Sequence, residues 1–438
     1  MPPVFHDPAA ARDFALEVVD RLRKAGFQAF WAGGCVRDEL LGRTPADYDV
    51  ATAARPDEVR AVFGKRKTLA VGAAFGVITV LGPRAAPGQQ GPAGQVEVAT
   101  FRVDAPYTDG RHPAGVTFCS AREDACRRDF TINGLFLDPL TGEVHDYVGG
   151  RADLAAGIVR AIGVPAQRFA EDHLRMLRAI RFTAFFGFVL EEQTRAALER
   201  MTKLVNTVSP ERIAAELRAM VSRPGRRQAL EMLADTGLAA EVLGEVAGSD
   251  MTGSGVAGGA EWSESAAIVA ALDEPDLPLA LAVLAEGSGG GTDAVARIAA
   301  RLRLSNREAK GAAWLTAAVA TLGGLSRAEI MSLPRSRVQP WLAHEHAACL
   351  ADLLRARASA GRGDAAAAAW VTAEVARPRA ELDPPPLVTG SDLLAAGVAE
   401  GPALGAALAR IRALQLDGVI TTREAALAAL RDRTLRDR

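Results

Sequence analysis

FQAFWAGGCVRDELLGRTPADYDV, residues 27–50, decides how this 438-residue chain is read. Phe27 to Trp31 has the apolar, aromatic character of a strand. Gly33-Gly34 supplies a turn, and a short helical segment follows around Val36–Leu41. Tyr48–Ala51 reads as a second strand. In a strand, residues two apart share a face, so Asp47 and Asp49 are expected side by side. Such a pair is repulsive unless a cation sits between them. Alone, this spacing most often marks a wet strand edge, and a Gly-Gly turn is most often structural.

Outward from this stretch the pattern is mixed α/β. Residues 8–25 carry the helical spacing Phe14, Leu16, Val18, Val19 and Leu22. Asp57–Phe63 reads as a helix. Val77–Leu81 and Val96–Phe101 read as strands joined by a Gly/Pro/Gln-rich loop over 82–95. Glu97 is the lone acid of its strand, which demands solvent, a partner or a metal. With Asp47 and Asp49 it makes a third candidate carboxylate. Two Mg2+ ions held by three acids are the machinery of in-line phosphoryl transfer. Arg127-Arg128-Asp129-Phe130-Thr131-Ile132-Asn133 adds cations suited to a triphosphate; its bland alternative is a basic helix start with an Asp cap.

After Asp153 strand patterns nearly vanish. Arg168–Phe188, Glu191–Leu204, Pro210–Val221 and Gly225–Thr236 read as helices, and 390–432 as a last helical segment after the Pro384-Pro-Pro linker. The Gly-rich stretches 244–260 and 286–292 are expected to be loops. The resulting fold class is α+β: a small mixed sheet followed by helices. Within Glu171–Phe182, read as one helix, Asp172 and Arg175 are surface neighbours, and Arg178 and Arg181 continue the same step. An ordinary surface ion pair is the plain reading. The sharper one is a template for a base. Cytosine and adenine both pair an amino donor with a ring-nitrogen acceptor, which an Asp beside an Arg complements. Uracil and guanine would present a carbonyl to the carboxylate.

Composition sets bounds. Net charge is −2, with 49% hydrophobic and 24% charged residues, so a nucleic-acid partner must meet local basic clusters. Only five of the 51 Lys and Arg residues are Lys. The four cysteines, Cys35, Cys119, Cys126 and Cys349, show no metal or disulfide spacing, and a reduced cytoplasmic setting is expected. The N-terminus lacks the features of a signal peptide, and no uncharged apolar stretch is long enough to span a bilayer. No membrane partner is expected. No G-x-G-x-x-G unit follows a strand, which excludes a Rossmann dehydrogenase. A non-catalytic binding protein on such a scaffold would not need three clustered acids.

In order, GGCVRD (33–38), DYD (47–49), VGAAFGV (71–77), VEVATFR (96–102), YTDGRHP (107–113), RRDFTING (127–134), DYVGGRADL (146–154), EDHLRMLRAIRF (171–182) and PERIAAEL (210–217) identify a family. The chain resembles the class II tRNA nucleotidyltransferases, or CCA-adding enzymes, and the related bacterial poly(A) polymerases. The likeness is strong over 28–220 and looser at 388–397.

The resemblance implies that Asp47 and Asp49 bind Mg2+ and that Glu97 is the third catalytic carboxylate. Gly34, Arg37 and Arg128 are implied as triphosphate contacts. Asp172 and Arg175 are implied as the base template, with Arg178 and Arg181 supporting the nucleotide. Residues 103–121 match a flexible loop and 146–154 a hinge. The implied domains are a head (1–154), a neck (155–225), a body (226–383) and an RNA-binding tail (384–438). The implied partners are CTP, ATP and the tRNA 3′ end. Leu279–Leu284 runs into Ala285-Glu286, so no second hydrolase site is expected. Ala73-Ala74 stands where poly(A) polymerases carry basic residues, which favours the tRNA enzyme. Gly134 replaces a usual Ala. The sequence leaves open the oligomeric state and the choice among CCA, CC-only and A-only addition.

Overall fold

The computed structural model describes residues 7–82, 94–104, 116–247 and 257–431. Its contacts separate two compact units, Met1–Val242 and Leu243–Arg438.

The first unit begins with α1 (Pro8–Lys24), capped by the Asp7 carboxylate on the Ala9 N–H. Its buried face, Phe14, Ala15, Val18, Val19 and Leu22, covers a sheet. β1 (Ala29–Ala32), α2 (Gly34–Leu40), β2 (Asp49–Thr52) and α3 (Pro56–Phe63) follow. Then come β3 (Thr68–Leu69), β4 (Val77–Leu81), β5 (Gln95–Thr100), β6 (Arg102–Asp104) and β7 (Val116–Phe118). α4 (Ala121–Cys126), β8 (Leu135–Leu137) and β9 (Val144–Asp146) complete the head. Seven strands form one sheet in the order β3-β4-β5-β2-β1-β8-β9. Among the described strands of this sheet only β2 and β5 pair in parallel, and their register sets Asp49 opposite Glu97. Within β5, Val96 and Val98 are buried while Glu97 is exposed. In the paired strand Val50 is buried and Asp49 exposed. The pleat therefore sends both acids to the open face and both valines to the core. Phe30, Phe101 and Phe136 meet at ring separations of 6.0–6.3 Å. The expected hairpin is β4–β5, antiparallel over Val77–Leu81 and Gln95–Ala99. Its connection, and most of the loop expected at 103–121, lie outside the described residues.

α5 (Gly150–Ala156), β10 (Ile158–Val159), α6 (Pro165–Glu171), α7 (Leu174–Phe186), β11 (Val189–Leu190), α8 (Glu192–Met201), α9 (Pro210–Val221), α10 (Arg226–Asp235) and α11 (Leu238–Val242) follow. A two-residue parallel ladder, β10 with β11, stitches these helices. The expected single helix over 168–188 is in fact two. Asp172 is extended (φ −150°) and its Oδ1 accepts the Leu174 N–H. The apolar spacing runs through the break unchanged, so periodicity alone cannot reveal it. α7 buries Met176, Leu177, Ala179, Ile180 and Phe182 and ends at Gly187 in the left-handed conformation.

The second unit comprises α12 (Gly244–Ala247), α13 (Ala257–Ala271), α14 (Leu277–Gly287), α15 (Gly291–Arg301), α16 (Asn306–Leu322) and α17 (Arg327–Ser332). α18 (Arg335–Leu342), α19 (Ala347–Ser359), α20 (Ala365–Val375), α21 (Arg379–Leu382), α22 (Gly390–Ala395), α23 (Pro402–Leu416) and α24 (Arg423–Arg431) complete it. The expected Gly-rich loops shrink. Residues 244–247 and 257–260 are helical, and only 288–290 separate α14 from α15. α14 is apolar all round and buried all round from Leu279 to Ala285. Glu286, the acid that follows, pairs with buried Arg357. A smaller core of Val388, Leu393, Ile411, Ile420 and Ala426 closes the C-terminal helices.

At Gly225, before α10, φ is +81° and an added Cβ would stand 2.0 Å from the Ala184 carbonyl oxygen of α7. Gly225→Ala is therefore expected to cost roughly 2–4 kcal/mol, from left-handed strain plus overpacking. Urea unfolding checks this, and an unchanged midpoint would refute the packing account.

Candidate active site

A cleft of about 490 Å³ opens in the first unit. Gly33, Gly34, Arg37, Asp49, Arg102, Arg127, Arg128, Asp129 and Asn133 line one part of it. Asp172, Leu174, Arg175, Arg178, Phe182 and Arg212 line the rest. Seven arginines thus face three aspartates. On a chain of net charge −2, this concentrates positive potential where an anionic ligand would sit. Asp47, Glu97 and Arg181 are not among the lining residues.

The acids come first. β2 starts at Asp49, so Asp47 lies in the extended lead-in and not in the strand itself. Asp49 is exposed as a residue, yet its carboxyl is crowded by protein; that desolvation, then the charges of Asp47 and Glu97, raise it to about 7, with Arg128 opposing. Among the described residues none of the three carboxylates has a hydrogen bond or ion pair. Below Asp49, the buried Cys35 thiol donates to the Ala32 and Asp49 carbonyls. Burial and the Asp49 charge push that thiol up to about 12, so it is an inert support. No three His, Cys, Asp or Glu side chains among the described residues converge tightly enough to form a finished metal cage. The donor chemistry nevertheless fits a hard divalent cation that keeps most of its ligands as water or phosphate oxygens. Unpaired oxygens that repel one another are what such an ion relieves.

The cations are held by partners the sequence did not disclose. Arg127 and Arg128 follow α4, and both pair with its Asp124, at 2.8 and 3.1 Å. Burial opposes the Asp124 charge, but the two arginines prevail and hold its carboxyl below the usual range. Arg128 also packs on Phe136. It lies over Gly33, where a Cβ would come within 2.8 Å of its Nη1. Gly33 has φ +74°, so glycine serves both the turn and the arginine. Arg37 is buried, donates to Asn133 Oδ1 at 2.6 Å and to Asp38, and packs on Phe182 and Phe186.

Asp129 is the hub. Its Oδ1 accepts from Asn133 Nδ2 at 3.0 Å, and Oδ2 accepts from Arg178 Nη2 at 2.6 Å. Burial works against its charge. Arg178, the Asn133 hydrogen bond and the charge of Arg175 outweigh it and hold the carboxyl far below the ordinary range. Arg181 is engaged by Glu216 of α9 at 2.6 Å.

Asp172 and Arg175 both reach the cleft, but they are not paired with each other. Arg212 of α9 grips Asp172 at 3.2 and 2.6 Å. Arg175 is held by Glu171, by the Arg168 carbonyl and, through Nη2, by the Arg127 carbonyl at 3.2 Å. Each is therefore fixed by its own partners, and both line the cleft. Arg212, Asp124 and Glu171 are the contributors the motif reading missed. Arg212 stands inside the quoted PERIAAEL stretch, and only its long-range contact reveals its use.

Fold and site together define a nucleotidyltransferase-type head carried on helical segments. Residues 29–160 match the family described as the poly A polymerase head domain. Residues 187–248 match the probable RNA and SrmB- binding site of polymerase A. CCA-adding enzymes of Geobacillus kaustophilus and Lactobacillus johnsonii are 39% and 40% identical to this chain over 231 residues. Those matches cover 52% of this chain and 54% and 55% of the relatives, so they span about half their length. The Bacillus stearothermophilus CCA-adding enzyme in complex with CTP superimposes with a TM-score of 0.75 at 28% identity, covering 96% of both chains. The Thermotoga maritima CCA-adding enzyme complexed with tRNA shares the fold, with a TM-score of 0.60 at 18% identity over 95% of this chain and 94% of that one. The head and the segment that follows it are thus similar to poly(A) polymerases and CCA-adding enzymes, and nearly the whole chain shares the fold of a CCA-adding enzyme.

The Asp129 hub yields a pH prediction. Its pKa is depressed on folding, so its stabilisation is present above the unfolded value near 4 and lost as pH falls through the lower folded one. Asp129→Asn should flatten acid unfolding below about pH 4. It should also cost on the order of 2–4 kcal/mol at neutral pH, because Arg178 loses its counter-charge. Chemical unfolding at pH 3 and pH 7 measures both, and an equal loss at the two pH values would contradict the hub.

Proposed function

We propose that this protein adds C and A to the 3′ ends of tRNA from CTP and ATP without a nucleic-acid template, releasing pyrophosphate. The observation that carries the proposal is the parallel register of β2 with β5. It puts Asp49 beside Glu97 at a cleft rich in arginine, with the Asp172 and Arg175 edges in the same cleft. The curated relatives that match half their length are CCA-adding enzymes, and one solved neighbour was captured with CTP. The division into head (1–154), neck (155–225), body (226–383) and RNA-binding tail (384–438) belongs to this reading. So does a cytoplasmic setting. Four cysteines without a disulfide fit it, and no described helix is long and apolar enough to cross a membrane.

Asp47 and Asp49 would hold Mg2+, with Glu97 beside them. Bound there, the ion would lower the pKa of the attacking hydroxyl and neutralise charge on the leaving pyrophosphate. The chain's own groups do the rest. Gly33 and Gly34 let the triphosphate approach the backbone, and Arg128 meets its charge. Arg37 acts chiefly by fixing Asn133, and Arg178 by fixing Asp129. The RNA 3′-hydroxyl oxygen forms a bond to the α-phosphorus as the bond to pyrophosphate breaks, and Glu97 accepts the hydroxyl proton. Asp172 accepts from the exocyclic amino group of cytosine or adenine, and Arg175 donates to the adjacent ring nitrogen. UTP and GTP would set a carbonyl against Asp172. Arg181, bound to Glu216, supports the helix that carries Arg175 and Arg178.

The test uses tRNA transcripts ending before CCA, after C and after CC, each with single nucleotides and Mg2+. Ordered C, C and A addition is expected. A long A tail on generic RNA would identify a poly(A) polymerase, and no incorporation would refute the proposal. Asp47→Ala, Asp49→Ala and Glu97→Ala should each lower turnover by at least roughly a hundred-fold while leaving RNA affinity near wild type.

Asp172→Ala, measured with all four nucleotides at subsaturating concentration, should erode discrimination against UTP and GTP by roughly ten-fold or more. A variant that still discriminates fully would dispose of the base-template role.

A further inference from the structure

The second unit holds an aromatic cluster that the active site does not use. Trp314 of α16 stacks on His344, with ring centroids 4.1 Å apart and planes 13° apart. Trp341 of α18 lies 5.3 Å from Trp314, and His346 lies 5.3 Å from His344. Both histidines sit in the short turn between α18 and α19. All four rings are part-exposed, an unusual place for two tryptophans in a chain with five.

The arrangement is built. Gly311 lies under His346, and a Cβ there would come within 3.1 Å of its Nε2. The His346 N–H donates to His344 Nδ1 at 3.2 Å, which orients that ring and leaves Nε2 as its protonated nitrogen. Cations flank the rings. Arg307 and Lys310 precede Trp314 by seven and four residues on α16, and Arg337 precedes Trp341 by four on α18, so each shares a helix face with a tryptophan. Among the described residues these three cations have no ion-pair partner. Arg379, bound to Asp383, also acts on His344, and Glu345 is the nearby acid.

We propose that this cluster is a stacking platform for an unpaired nucleobase of the RNA substrate, with Arg307, Lys310 and Arg337 meeting the adjoining phosphates. A planar stack with open edges accepts any base face, and unpaired cations at its rim suit a polyanion. This inference rests on the RNA-acting role proposed above but concerns RNA grip only. It assigns Trp314, Trp341 and His344 to binding of the RNA away from its reacting 3′ end.

The test compares the wild type with His344→Ala, His344→Phe and a Lys310→Glu/Arg337→Glu double variant, using a tRNA transcript that ends before CCA. RNA affinity is read by fluorescence anisotropy and CTP incorporation by steady-state kinetics. His344→Ala should weaken RNA binding and raise KM for RNA by roughly ten-fold with kcat unchanged, the loss of one stacking contact. His344→Phe should stay within about two-fold of wild type, because it keeps a ring. The charge-reversed variant should bind more weakly and show a shallower salt dependence, whether or not His344→Ala folds. Wild-type affinity in both the charge-reversed variant and a folded His344→Ala, alongside a wild type that extends tRNA, would overturn the platform alone. A wild type that extends no RNA would overturn the activity instead.

Discussion

A carboxylate almost buried in the wall of a cleft must be surrounded by donors, and in this protein that carboxylate is Asp129. Its two oxygens face in two directions, one toward Asn133 beside the sheet and the other toward Arg178 on α7. Asn133 in turn receives Arg37, whose guanidinium lies against Phe182 and Phe186 of the same helix. The chain of contacts closes on itself, passing from sheet to helix and back. Removing any member leaves a buried charge or polar group unsatisfied, which costs more than the contact itself. This is why the cleft keeps a defined shape although so many like charges line it.

The cleft also shows how like charges are made tolerable. Most of its arginines have an acid behind them: Asp124 for Arg127 and Arg128, Glu171 for Arg175 and Asp129 for Arg178. Asp124 and Glu171 stay out of the cleft lining, while Asp129 and the guanidinia reach it. The three acids around Asp49 are arranged the opposite way. Only the charge of Arg128 opposes their repulsion and desolvation, and Asp49 is raised to about 7.

Much of the head was legible in the sequence because its signals are local. The alternation of Val96, Glu97 and Val98 and the boundaries of α1, α3 and the β4–β5 hairpin follow from side-chain periodicity. Glu97 was legible as a lone acid in an apolar strand, but its place beside Asp49 comes from a parallel pairing across 48 residues, which no periodicity records. The break at Asp172 was hidden for a related reason. Phe169, Met176 and Leu177 keep helical spacing across it, and the Asp172 carboxylate at the end of α6 is held by Arg212, 40 residues away. The Gly-rich stretch at 257–260 reads as loop by composition, yet it lies within α13.

The grip of Arg212 on Asp172 bears on the entropy of recognition. A free aspartate samples several rotamers, and a ligand that binds it must first select one. Here the Leu174 N–H and the Arg212 fork have already made that selection. In the base-template role proposed for Asp172, a nucleotide arriving at this edge would meet a fixed acceptor and forfeit no side-chain freedom on its behalf. A fixed acceptor also could not swing aside for a misplaced carbonyl, so in that proposed role the rigidity that would make the right base cheap to bind is the same rigidity that would leave the wrong one nowhere to go.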